Sequence, residues 1–547
     1  MTIHVKNSLI PLLLILLAAF LFRYPHLAGD APAGDISRSG VFYVDEGTYA
    51  HNAVNKALFG QWFLPDDYNP ISNVPIFSVF QYVILKMFGK SLTALRLGGI
   101  AYGLCSLLLL WILLRPANRQ AAWMALALGA SNYFFIIYNR LALIENLLVL
   151  FLMAITLFLF LYQRKTRLVW LLVSALFFVA GFFVKPTILF FSPLFLLAIF
   201  STTQPRRSKI KHLLLLLVAV ALLAVISFLV WVLPHQADWR YFTQLNVAAK
   251  FSFSPARILE NYGRYLVNLK LFQFMPVTYT LALFHAGLIL LNRVRNKPIT
   301  FAEQFFAGWA LCAFLFLGFF AYSPPRFSLI LTPVIFGLAS LFLARLIRGE
   351  YLLQRRQHQL LLLVTALVAG LQIGFGIFRL MRDGHYYLSC FLPLVSLAAI
   401  LLLSFLPKIQ RPGRIAFGLL GLMLGLNIFQ IGHYHAGIRY SYHSAMKDIE
   451  QTIMLAPKQD RVIAGDIAPL VATELSIKAV NIRFREETER HRFLQQKPRF
   501  LILQDKNELD RLRKKMPDYL SNVRLIRSYR IFDNYINNED TFFYKIN

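Results

Sequence analysis

Apolar stretches long enough to cross a bilayer recur along this chain as far as position 433, and one water-soluble core cannot absorb them. They fall at residues 8–22, 91–114, 119–138, 141–162, 168–184, 186–201, 212–233, 273–292, 302–322, 327–347, 358–378, 386–406 and 413–433, thirteen in all. A helix rising ~1.5 Å per residue needs about 17–25 such residues to span the hydrocarbon layer. The chain is 57% hydrophobic and only 15% charged, with a mean hydropathy of +0.56, whereas soluble domains carry roughly 25% charged residues. Lipid resolves the mismatch, because it needs no polar outer face and because a helix satisfies its own backbone. Two divisions stay open: 168–201, where Lys185-Pro186 splits one long run, and 119–162, which breaks at Arg140.

The net charge of +29 would suit a nucleic-acid partner, but its distribution argues against one. Most basic residues sit in short runs between apolar stretches, the pattern of orientation signals and of contact with anionic membrane lipids. With the N-terminus inside, every second loop is basic: Arg115/Arg119, Arg164/Lys165/Arg167, Arg206/Arg207/Lys209/Lys211, Arg293/Arg295/Lys297, Arg345/Arg348/Arg355/Arg356 and Lys408/Arg411/Arg414. The intervening loops are poor in basic residues, Arg379/Arg382 apart. An odd number of spans then leaves the C-terminus outside. The first span has the shape of a signal peptide, with Lys6 before a short apolar core and a cleavage alternative near Ala31 or Ala33. An uncleaved anchor is expected, since the chain beyond it needs neighbouring helices to fold. Cys105, Cys312 and Cys390 all lie in apolar stretches, so cysteine usage says nothing about redox compartment.

These spans predict a transmembrane domain over residues 1–439, with long outer loops at 23–90 and 234–272. In the first loop, Glu46–Phe59 reads as a helix with Tyr49, Ala53, Val54 and Ala57 on one face and Gly60 closing it. Pro75–Phe88 reads as a second, opened by proline and stopped at Gly89. Both are too short to span, and helices lying in the interface plane fit them. From 440 to 547 the composition changes. Apolar runs at 461–464, 479–482, 500–503 and 523–526 alternate with helical patterns at 467–476, 486–495 and 507–515, which predicts a small outer α/β domain.

Ionisable groups at membrane depth are functional candidates, because each is costly to desolvate. Asp45, Glu46, Arg96, Arg140, Glu145, Lys185 and Arg326 fall at outer span ends on this orientation and could share one cavity. Asp45-Glu46 opens the first interfacial helix. A carboxylate there could take a proton from an acceptor, or Asp45 could simply cap the helix. Lys185 and Arg326 each interrupt an apolar run at a proline-marked bend. Cations at headgroup depth suit a lipid phosphate, with snorkelling as the plainer role. Arg140 and Glu145 are close enough in sequence to pair. His235, His433 and His435, also at outer span ends, match no closed metal-ligand spacing and read as interfacial histidines. A divalent metal ion remains an open cofactor, with His235 and Glu46 as candidate ligands.

Val44-Asp45-Glu46-Gly47-Thr48-Tyr49-Ala50 after one span resembles the first-loop acidic motif of the GT-C superfamily of glycosyltransferases. More closely, it resembles the group of protein O-mannosyltransferases and lipid A aminoarabinose transferases (glycosyltransferase family 39-like). Asn69-Pro70, Pro75-Ile76-Phe77, Met87-Phe88-Gly89, Ala94-Leu95-Arg96-Leu97, Arg140…Glu145-Asn146, Gly181…Lys185-Pro186 and Pro325-Arg326-Phe327…Pro333 come in the same order, covering roughly residues 1–340. The resemblance implies a polytopic α-helical membrane protein with a small C-terminal α/β extracytoplasmic domain, in a bacterial plasma membrane. It implies transfer of a sugar from a polyprenyl-phosphate donor to a glycolipid, polysaccharide or protein acceptor on the outer face. By family analogy Asp45 is the general base, with Glu46 beside it. Lys185 and Arg326 would hold the donor phosphate, with Arg96, Arg140 and Glu145 supporting. Two positions depart from the pattern: Asn73-Val74 precede Pro75 where lipid A transferases carry an acidic residue and a lysine, and Phe327 replaces the usual tyrosine. The competing class is a lipid transporter or flippase, which would place charges along a route through the midplane, often with internal repeats.

Overall fold

The computed structural model describes residues 3–30, 42–64, 70–244, 251, 253–268, 271, 274–320, 325–350, 355–382, 395, 397–401, 403–404, 412–437, 440–480, 482, 493–504, 506–529 and 541–547. Within these, the helical part runs α1 (Ile3–Arg23), α2 (Phe42–Phe59), α3 (Pro75–Phe88), α4 (Leu92–Leu114), α5 (Arg119–Ser131), α6 (Tyr133–Asn139), α7 (Ile144–Lys165), α8 (Leu168–Phe182), α9 (Pro193–Phe200), α10 (Arg206–Ser227), α11 (Gln236–Thr243), α12 (Pro255–Asn268), α13 (Pro276–Val294), α14 (Phe301–Leu317), α15 (Thr332–Ile347), α16 (Arg355–Arg382) and α17 (Pro412–Gly437). Among the described residues, six helices are long and apolar enough to cross a membrane, or seven if the bent pair α5 and α6 is one span. Thirteen full-length spans are therefore not reached among the described residues. Several expected spans are shorter apolar helices, among them Leu9–Arg23, Leu168–Phe182 and Phe301–Leu317. The stretch 386–406 lies mostly outside the described residues.

Local sequence explains where helices break. Pro186 and Pro325 each start a short 3₁₀ segment, Pro186–Phe191 and Pro325–Leu331, that leads into α9 and α15. A residue before proline is pushed out of the α region, and Lys185 is extended at φ −159°, ψ 123°. Asn132 caps α6, accepting from the Phe135 N–H, and α5 and α6 meet at 60°. Gly60 (φ 75°) and Gly89 (φ 92°) end α2 and α3 in backbone conformations that favour glycine.

The helix centred in the bundle is the 3₁₀ segment plus α15, 94% buried, packed among α5, α13, α14 and α17. By contrast α10 is only 6% buried, so its Leu214, Leu217, Val218, Leu222 and Val225 meet lipid. α3 shows Val79, Phe80, Val83 and Met87 outward while Phe77, Gln81 and Leu85 are buried, as an interfacial helix requires.

α2 departs from the sequence reading. The expected apolar face is there, with Ala50, Ala53 and Val54 packed on Leu85, Leu95 and Ala142. Its polar side is buried as well, including Glu46, His51, Asn52 and Asn55. The reasons lie along the chain: Arg96 and the Ala142 N–H hold Glu46, the Trp62 carbonyl and the Ile71 N–H hold Asn52, and a helix of the C-terminal domain packs against α2.

That domain opens with α18 (Tyr442–Met454) and contains α19 (Ala468–Leu475) and α20 (Lys506–Lys515). Its sheet comprises β3 (Val462–Ala464), β4 (Lys478–Val480), β5 (Phe500–Leu503), β6 (Val523–Tyr529) and β7 (Thr541–Ile546), in the order β4-β3-β5-β7-β6. β3 pairs in parallel with β4 and β5, whereas β7 is antiparallel to β5 and β6. β7 was not among the expected strands, yet it sits inside the sheet with Phe542, Phe543 and Tyr544 buried. The helix expected at 486–495 lies mostly outside the described residues. A two-residue ladder joins β1 (Gly29–Asp30) to β2 (Tyr440–Ser441), tying the exit of α1 to the start of this domain.

Candidate active site

The break between α6 and α7, residues Arg140–Leu143, is the hub of the site. Asn146 holds it closed: its Nδ2 donates to the carbonyls of Tyr138 (2.8 Å) and Leu141 (2.9 Å), and its Oδ1 accepts from Asn139 Nδ2 (2.9 Å). The break releases the Ala142 N–H, which donates to Glu46 Oε1 at 2.7 Å. It also starts α7, with Glu145 in the first turn, where the helix dipole favours a carboxylate.

Four charges from four elements meet there. Arg326 Nη2 lies 2.6 Å from Asp45 Oδ2, and its Nε lies 3.3 Å from Glu145 Oε1. Lys185 Nζ donates to the same Glu145 oxygen at 2.7 Å. The result is an alternating row, Asp45, Arg326, Glu145, Lys185, with two cations and two carboxylates. Phe327 braces it, since Lys185 Nζ stands 3.9 Å from the centre of its ring. That contact uses the ring face, so phenylalanine can replace tyrosine here without loss of the cation–π attraction. Beside the row a small cavity is lined by Glu145, Lys185 and Thr187, with Leu148, Phe320 and Ile330 as its apolar wall. Glu145 Oε2 is buried and accepts no hydrogen bond among the described residues.

Glu46 and Arg96 form a separate pair one layer away. Arg96 forks onto both carboxylate oxygens, Nε to Oε1 at 2.9 Å and Nη2 to Oε2 at 2.8 Å. Its Nη1 reaches the Leu27 carbonyl at 2.8 Å. Both side chains are buried. With Ala142 on Oε1 too, Glu46 accepts three hydrogen bonds that tie α2 to α4 and to the α6–α7 break.

Two sequence expectations need correction. Arg140 does not pair with Glu145. The helix is broken between them, and Arg140 turns back to donate to the carbonyls of Arg23, Pro25 (2.6 Å) and His26 (2.8 Å). Nor does Asp45 open α2, which starts three residues earlier at Phe42, leaving Asp45 in the first turn rather than at the cap.

Among the described residues the histidines form no metal-binding group. His235 Nδ1 contacts the Trp231 carbonyl at 2.8 Å and its ring stacks on Phe63 at 4.5 Å. His435 Nε2 contacts the Phe22 carbonyl at 3.1 Å, and His433 shares its helix, α17. No group of three or more His, Cys, Asp or Glu that could hold a metal occurs among the described residues. Glu46, the carboxylate candidate, is taken up by Arg96 and the Ala142 N–H. Val74, standing where the resemblance would place a lysine, is buried in the core.

Sequence reasoning missed Arg23, fully buried, which donates to Ala19 O (2.8 Å), Ala130 O (3.0 Å), Gly129 O (3.2 Å) and Asn139 Oδ1 (3.3 Å). Its signal was available: a lone cation at the outer end of the first span, on the side that the orientation leaves poor in basic residues. Asn139 and Asn146 carried no such signal.

Comparison with known proteins agrees with this architecture. Residues 70–231 match the family model described as dolichyl-phosphate-mannose-protein mannosyltransferase. ArnT from Cupriavidus metallidurans bound to undecaprenyl phosphate superposes with a TM-score of 0.61 at 14% identity, covering 98% of each chain. Its apo form gives 0.59 at 14% identity, covering 97% of each. The arabinosyltransferase EmbB from Mycobacterium smegmatis gives 0.51 at 14% identity, covering 78% of this chain and 40% of that one. None of the curated proteins compared with the chain matches it.

Proposed function

From a polytopic membrane chain with the GT-C glycosyltransferase fold and a mannosyltransferase-like segment, we propose an enzyme that moves a sugar from a polyprenyl-phosphate donor to an acceptor on the outer face of a bacterial plasma membrane. The observation that carries this reading is the row Asp45, Arg326, Glu145, Lys185 beside an apolar-walled cavity. A lipid phosphate needs cations at the point where tail meets headgroup. Lys185 and Arg326 supply them, held in place by carboxylates until a phosphate competes for them. The relative that holds undecaprenyl phosphate gives the donor class its support.

The reaction is then one inverting displacement. An acceptor hydroxyl attacks the anomeric carbon as Asp45 takes its proton. The bond from that carbon to the phosphate oxygen breaks, and the phosphate leaves with its charge met by Lys185 and Arg326. Arg326, once drawn to phosphate, leaves the Asp45 carboxylate open to the acceptor. Glu145 holds both cations at one spacing, and Glu46, Arg96 and Arg140 hold the backbone that carries the row. The acceptor can be a glycolipid, a polysaccharide or a protein. A flippase reading is not favoured, because the row Asp45, Arg326, Glu145, Lys185 gathers at one end of the bundle, and a second buried cluster, Glu303 with Arg345 and His285, is a separate group at the far end of α15.

Asp45→Asn tests this. It keeps size and polarity in the first turn of α2, so the protein should fold. Transfer of label from polyprenyl-phosphate hexose or pentose in membranes should fall about 10²–10⁴-fold, the usual contribution of a general base. Wild-type transfer by the variant removes Asp45 from that role. Movement of labelled lipid between leaflets without any glycosidic product would replace the enzyme with a flippase.

A further inference from the structure

We propose that the C-terminal domain is part of the reaction apparatus: α19 clamps α2 against α4, and Glu474 is a positioning residue for Asp45. This rests on the transferase reading above. Three contacts converge on the two helices that carry the Glu46–Arg96 pair. First, Gly47 comes directly after the acidic pair, and a Cβ there would stand 2.8 Å from Leu470 N and 3.2 Å from Leu470 Cβ. The backbones of α2 and α19 therefore touch at the residue beside Glu46. Second, Glu474, one turn further along α19, accepts from the Leu92 N–H at 2.5 Å and from Tyr442 Oη at 3.0 Å. Leu92 begins α4, and Arg96 lies one turn beyond it. Third, Leu92 is fully buried in the core of the C-terminal domain with Ile467, Leu470 and Val471.

α2 is thus gripped from both sides within two residues. Arg96 holds Glu46 from the membrane side and Leu470 presses on Gly47 from outside. Glu474 sets the start of the helix that brings Arg96. A reacting group must be held within roughly 0.5 Å of its working position, and about 1 Å of misplacement from a remote change can lower the rate ~10²-fold. A domain that only selected acceptors would need no seat on α2.

The test uses the full-length protein in membranes, with labelled polyprenyl-phosphate hexose and pentose as donors. Glu474→Ala should lower kcat about 100-fold with the donor KM within about threefold of wild type. Glu474→Gln keeps an acceptor for the Leu92 N–H and should restore most of kcat. Gly47→Ala is favourable for a helix in isolation, so it should fold while displacing α19, and should lower kcat in the same way. Amide hydrogen exchange in α2 gives an arm that does not depend on activity: residues 46–55 should exchange faster in Gly47→Ala and in Glu474→Ala than in wild type. Unchanged exchange, or unchanged kcat in Gly47→Ala, overturns the proposal. Faster exchange in a protein that shows no transfer even as wild type would uphold the clamp and overturn the transferase reading instead.

Discussion

Each charge at the site is held by a different kind of partner, and that decides what its removal does. Glu46 and Arg96 are buried against each other. Breaking such a pair from one side leaves an uncompensated charge and costs about 3–5 kcal/mol. Arg96→Met should therefore lower thermal stability in detergent sharply. Adding Glu46→Leu should return part of the loss, the rest remaining because the Ala142 N–H and the Leu27 carbonyl lose their partners. If the double variant is no more stable than Arg96→Met, the pair is not the unit that holds α2. Arg326 bridges two carboxylates through different nitrogens, while Lys185 uses one. Lysine cannot reproduce that fork, so Arg326→Lys should raise the donor KM about tenfold, read from initial rates across donor concentrations. Lys185→Arg should be milder, and a reversed order would assign the phosphate to Lys185 alone.

At the scale of elements, the site is made by helices that stop. α6 ends at Asn139 and α7 begins at Ile144, and the four residues between them reach α1, α2 and α4. Gly99 lets α4 come close to this break, since a Cβ there would lie 2.8 Å from the Asn139 carbonyl oxygen and nearer still to that of Leu141. Both obstacles are backbone and cannot swing aside. Gly99→Ala should therefore cost about 1–3 kcal/mol and lower activity as well, measured as a reduced melting temperature and rate. Gly98→Ala meets chiefly the flexible Ile84 side chain, with the Tyr102 hydroxyl at 3.7 Å, and should be tolerated. Equal effects of the two would deny the break any special closeness. The two cation-bearing bends share one device, proline opening a 3₁₀ turn that stops one apolar run and starts another.

For the whole molecule, α15 is the buried centre and α10 an exposed apolar flank, and the C-terminal domain packs on α2 and α4 beside the row of charges. The charge asymmetry of the loops predicts that this end is outside. A cysteine introduced at the exposed Lys515 should react with a membrane-impermeant maleimide added to spheroplasts, whereas one at the exposed Arg207 should react only after the membrane is opened. The reverse pattern would turn the site toward the cytoplasm and remove an outer-face transferase.

By itself the chain determined the solvent it folds in, the positions of several apolar helices, the proline bends, and α3 to the residue, because hydropathy, helix stops and proline sterics act over a few neighbours. Of the charges that meet at the break, Arg23 was missed, whereas Asp45, Glu145, Lys185 and Arg326 were legible for the same reason: each interrupts or borders an apolar run where a charge is costly. Their pairing was not visible. Glu145 met Lys185 and Arg326 instead of Arg140, Glu46 was claimed by Arg96, and α2 was packed against α19. Those outcomes depend on which helices pack side by side, and a buried charge takes the partner that packing brings within reach, however distant it is along the chain.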